Sequence, residues 1–314
     1  MANVFKNKSN EVRSGWKIAG VISLSSIMEF IPMFVFGIIS SIYIMASSKG
    51  SALSTTEVSN KLYDFMQKST YGFLFTNTIS FICMFLTLFI FLKHVDKKKF
   101  KDIGLISVKK GCKELIFGLL LGLISMSVIF FVLLGTKNIT VENLSSLNFS
   151  KDIWLGLIVF IMVGIKEELL SRGYCITAFN QMKKPWLSII LSSILFSALH
   201  LLNPNVKPLG LINIILLGVL FGYMYVKTNN LWMPIGYHIA WNYFQGCIYG
   251  FNVSGLNIKG LFNLSAMKDN ILTGGTFGPE AGILTTIVMA LGMLILWKMP
   301  SVKKSEEDYL ETSV

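Results

Sequence analysis

Residues 153–179, IWLGLIVFIMVGIKEELLSRGYCITAF, decide how the rest of the chain is read. The stretch opens as an apolar helix and then sets Lys166, Glu167, Glu168 and Arg172 in line with it. An ionisable residue at membrane depth costs roughly 2.5–3.5 kcal/mol even on lenient scales, so four together mark a working site rather than a tolerated accident. Two polar points answer them downstream: His200 in FSALH, and His238 with Asn242 in HIAWN.

Composition explains why membrane depth is the right frame. Of 314 residues, 53% are hydrophobic and only 14% charged, against about 25% charged in a soluble domain. We expect an all-α polytopic membrane protein of about eight spans, near residues 18–45, 71–92, 114–134, 153–179, 186–202, 209–226, 231–250 and 281–297. The first apolar run is too long for a signal-peptide core and reads as a retained span. With both termini cytoplasmic, 20 of the 28 Lys and Arg fall on the cytoplasmic side, which satisfies the positive-inside rule. The net charge of +11 therefore reads as topology signal and lipid contact, not as a nucleic-acid surface. Location in the cell membrane follows. Oligomeric state does not.

We divide the chain into 1–149, three spans with their loops; 150–250, the polar-bearing helical core; and 251–314, an external loop, a last span and an acidic cytoplasmic tail. Cys83, Cys112, Cys175 and Cys247 lack metal-type spacing and read as packing residues. His94, beside Lys93, reads as a solvated interface residue. Glu29 in the first span is either a gating group or a carboxyl satisfied inside the bundle near Pro32.

Helical geometry sorts the central cluster. Glu168 precedes Arg172 by four residues, the favoured order for an ion pair. Glu167 is turned about 100° away and left free to face a cavity, where burial and nearby cations suit a general base. Glu167 and His200 each lie 15 residues from the turn at 182–185, so unbroken helices would set both about 22 Å from it. Phe196, one turn before His200, would pack beside its ring. His238 and Asn242 share a face but lie only about 11–17 Å into their span, a mismatch that needs helix tilt or a loop at 227–230 that dips inward. Taken singly, the bland readings hold: a packing histidine, a snorkelling Lys166, an interhelical Asn242.

Read together, EELLSR, FSALH and HIAWN match EExxxR, FxxxH and HxxxN in order. The pattern resembles the CAAX prenyl protease and bacteriocin-processing (CPBP, Abi) family of intramembrane proteases. That family includes type II CAAX prenyl endopeptidases and lysostaphin-resistance-A-like proteins. The resemblance covers about residues 150–250. It implies peptide-bond hydrolysis in which Glu167 and His200 activate water while His238 and Asn242 hold the carbonyl oxygen, with Glu168, Arg172 and Phe196 in support. Glu167, His200 and His238 would also suffice as ligands of a catalytic zinc. There is no HExxH, and of the two mechanisms we prefer the metal-free one.

A membrane-associated peptide substrate follows, whether CAAX-like, a leader peptide or a bacteriocin in an immunity role. The Lys-, Asn- and Ile-rich composition points to an AT-rich bacterial source and so to peptide processing. The rival classes are a non-catalytic membrane partner and a proton-coupled transporter. The latter is weakened by the absence of an internal repeat.

Overall fold

A computed structural model of the chain describes residues 4–7, 9–48, 53–142 and 147–299. The acidic tail expected at the C-terminus lies outside the described residues. In chain order the elements are α1 (Ser14–Ser47), α2 (Thr55–Lys68), α3 (Thr70–Phe91), α4 (Cys112–Gly135), β1 (Ile139–Val141), α5 (Lys151–Glu168), α6 (Ile176–Phe179), α7 (Pro185–Ala198), α8 (Pro208–Thr228), α9 (Trp232–Asn242), β2 (Leu264–Met267) and α10 (Ile283–Lys298).

Each of the eight apolar stretches is helical. Four of the helical segments are long and apolar enough to cross a membrane: Ser14–Ser47, Thr70–Asp96, Cys112–Gly135 and Pro208–Thr228. Helices α7 and α10 are apolar but shorter. Between α1 and α3 the polar segment forms a full helix rather than a turn, because Ser54 and Glu57 cap its start reciprocally. Strands β1 and β2 pair antiparallel and join two loops. Hydropathy alone gave no sign of them.

The core is assembled by small residues. Helices in lipid gain little from hydrophobic exclusion, so close backbone approach and dispersion must hold them together. On α4, Gly118 and Gly122 are spaced for this. A Cβ on Gly118 would fall 2.1 Å from the Met233 carbonyl oxygen of α9, and one on Gly122 would fall 2.5 Å from that of Tyr237. Gly218 and Gly222 of α8 repeat the arrangement against Ser193 and Ile189 of α7. All eleven residues of α9 are consequently buried.

The turn leading into α9 is fixed by burial and backbone hydrogen bonds. Thr228, Asn230 and Leu231 are buried, and the Leu231 N–H donates to the Gly104 carbonyl at 2.9 Å. Asn229 takes the left-handed φ of 55°, and Asn230 Oδ1 accepts from the Trp232 N–H at 2.9 Å. Asn229 itself is exposed, and Trp232 Nε1 donates to the Ile106 carbonyl at 2.9 Å, so the start of α9 is pinned to the loop at 104–106.

Candidate active site

Helix α5 does not continue to residue 179 as one α-helix. It gives way after Glu168 to a π-helical segment, Leu169–Cys175. A second π-helical segment, Tyr243–Ile248, begins directly after Asn242. Such wide turns recur at functional sites because they re-aim side chains without ending a helix.

Glu168 and Arg172 pair at 2.9 Å with both side chains fully buried. The same carboxylate oxygen, Glu168 Oε1, lies 2.9 Å from His238 Nδ1. A carboxylate held by Arg172 can only accept, so Nδ1 carries the proton and donates. That bond fixes the ring and turns Nε2 toward Glu167 Oε2, 3.8 Å away. Glu168 thus accepts two hydrogen bonds at one oxygen. Glu167 faces the other way, with a quarter of its side chain exposed.

Aromatic rings close the charged cluster from one side. The Arg172 guanidinium lies 4.3 Å from the Phe196 ring centre and 5.1 Å from that of Phe221. Phe221 also packs against His238 at 5.5 Å. An aromatic on α8 carries no spacing signal toward the three motifs, and its role emerges only from the packing.

His200 lies just beyond α7, which ends at Ala198 rather than running to residue 202. A tight turn, closed by the Asn203 N–H donating to the His200 carbonyl at 3.1 Å, replaces the last expected helical turn. It starts the reversal completed by Pro204 and by Asn205 at a left-handed φ of 56°. His200 Nδ1 donates to the Phe196 carbonyl at 2.8 Å, and the Phe196 ring stands 4.9 Å from the imidazole. Asn242 ends α9, nine-tenths buried, and its amide takes no hydrogen-bond partner among the described residues.

Glu167, His200, His238 and Asn242 line one cavity of about 710 Å³. Glu29 of α1 and Ser80 of α3 line it too, and Lys166 Nζ donates to Ser80 Oγ at 3.0 Å. A further acid on the wall, Glu280, was not singled out from sequence because it lies in the loop before α10. Its Oε2 accepts from Gln245 Nε2 at 2.5 Å, and its Oε1 from the Ser254 N–H at 3.0 Å and hydroxyl at 3.1 Å. Burial pushes the Glu280 carboxyl up to about 7, against the opposing pull of those donors.

The donor types of Glu167, His200 and His238 suit zinc. However, no group of three His, Cys, Asp or Glu side chains among the described residues is gathered as a metal-ligand set. We therefore derive no step through a metal.

These features define a class: a helical membrane protein with a buried carboxylate–histidine site opening into a cavity. Residues 149–244 match the family model described as type II CAAX prenyl endopeptidase Rce1-like. The match encloses all three motifs and bears out the resemblance read from them. No curated protein matches the chain.

Proposed function

We propose that this protein is an intramembrane endopeptidase that hydrolyses a peptide bond in a membrane-associated substrate. The observation that carries the reading is the division of labour at 167–168. Glu168 is consumed by Arg172 and His238, while Glu167 is left at the cavity beside His238 Nε2. A carboxylate so placed takes a proton from water, helped by His200 on the same cavity. The hydroxide adds to the scissile carbonyl carbon, and charge develops on its oxygen. The Asn242 amide donates there, with His238 holding the same carbonyl. The tetrahedral intermediate then expels the amine, which receives the proton held by Glu167 or His200.

One oriented donor to the developing oxyanion is worth about 2.7–4 kcal/mol, and the Asn242 amide is free to supply it. Residues 150–250 serve as the catalytic core, with 1–149 and 251–314 flanking it. The excess of Lys and Arg on one side supports a multi-pass cell-membrane protein of eight spans with both termini inside. Substrates of CAAX-like or leader type suit a cavity lined in part by membrane-embedded helices.

The test uses purified full-length protein in lipid and a quenched peptide library, with and without chelator. We expect cleavage by the wild type and none by Glu167→Ala or His200→Ala. Loss on chelation, restored by zinc, would assign a metal-dependent route. Equal silence of correctly folded wild type and variants toward every peptide would overturn the endopeptidase reading in favour of a non-catalytic partner.

A further inference from the structure

Away from the site, the end of α3 builds a second pocket of about 520 Å³, lined by Phe89, Leu92, Phe100 and by Lys93, Lys97, Lys98 and Lys99. Its shape follows from the backbone. The π-helical segment Leu92–Asp96 closes when the Lys98 N–H donates to the Leu92 carbonyl at 2.8 Å. Lys97 takes a left-handed φ of 54° to make that turn. Phe100 is held in place by stacking on Phe85, centroids 4.5 Å apart and planes 14° from parallel.

The acids of this loop are held by other partners than the pocket ammonium groups. Asp96 pairs with Lys17 and accepts from the Tyr174 hydroxyl. Asp102 accepts from the Lys99 backbone N–H at 2.7 Å. The four pocket lysines form no ion pair among the described residues, and Lys93 lies over the Phe89 ring at 5.6 Å.

The pocket's apolar floor continues along the helix. Ile82, Phe85, Leu86 and Phe89 are exposed on α3 at helical spacing, a lane ending at the lysines. We propose that this pocket binds the headgroup of an anionic phospholipid, one acyl chain lying along that lane. Four uncompensated cations call for a phosphate-bearing anion. The apolar lane distinguishes a lipid from free phosphate. Because α3 also presents Ser80 to the catalytic cavity, the lipid would hold a wall of that cavity in place.

The experiment is native mass spectrometry of the full-length protein in detergent, offered equal phosphatidylglycerol and phosphatidylcholine of matched chains. We expect about tenfold preferential retention of phosphatidylglycerol. The preference should vanish in K93Q/K97Q/K98Q/K99Q and persist in K109Q/K110Q/K113Q, which removes the same kind of charge from the end of the loop and the first turn of α4, outside the pocket. Equal loss in both variants, or none in the first, would overturn the site. A second arm needs no variant: glycerol phosphate and inorganic phosphate should fail to displace the bound lipid. Displacement by either would show a phosphate site without a lipid, against the proposal. Equal retention of both lipids by the wild type would overturn it outright.

Discussion

Helices α1 and α9 make an instructive pair. Helix α1 is 34 residues long and buries only Lys17, Ile18, Val21 and Ser25. Helix α9 is 11 residues long and buries every one. The first exposes almost its whole apolar surface, long enough to cross a membrane. The second is solvated by protein, through glycine contacts, stacked aromatics and hydrogen bonds from His238. Hydropathy measures affinity for lipid, so it detects α1 strongly and α9 weakly.

The contrast can be broken at defined points. Arg172→Ala should have the largest effect on folding. It leaves Glu168 buried beside His238 with no cation, and stranding one member of a buried pair costs about 3–5 kcal/mol. Thermal unfolding in detergent should show a large fall, with activity lost alongside. Asn242→Ala should leave the fold intact and lower kcat by about 10²–10³ with KM little changed, the signature of a donor used mainly in the transition state. A rise in KM with unchanged kcat would place Asn242 in substrate binding instead.

The third expectation concerns pH. Because burial raises the Glu280 carboxyl from its ordinary 4.5 to about 7, the folded chain keeps a proton that the unfolded chain releases. Its contribution is full below pH 4.5 and is lost as pH rises through 7, on the order of 3 kcal/mol in all. Stability should therefore fall between pH 5 and 8, and Glu280→Gln should flatten that slope. An unchanged slope would remove Glu280 as its source. The smallest effect belongs to α1: Glu29→Gln should alter cleavage within about twofold, since the acid lines the cavity but joins no proposed step. A large loss there, or ion flux that depends on Glu29, would revive the transporter reading.

Much of this was legible in the chain before any coordinates. The Glu168–Arg172 pair follows from their spacing of four, and the π-helical segment begins after Glu168 without breaking it. His238 and Glu167 meet at 3.8 Å, as their motif positions required. What the pattern of residues did not reveal depends on long-range packing. Phe221 reaches the charged cluster from α8, and Glu280 reaches the cavity from a loop that hydropathy reads only as polar. The early end of α7 was missed because Leu199, Leu201 and Leu202 continue an apolar run. The reversal at Pro204–Asn205 sets that boundary instead.

The central claim is that adjacent carboxylates have opposite duties. The most direct measurement compares Glu167→Gln with Glu168→Gln in one preparation, recording cleavage rate and unfolding temperature for each. Glu167→Gln is expected to abolish cleavage while unfolding close to the wild type. Glu168→Gln is expected to unfold at a markedly lower temperature, because Arg172 loses its buried counter-charge. A cleaving Glu167→Gln variant, or a Glu168→Gln variant that is inactive yet as stable as wild type, would contradict the account.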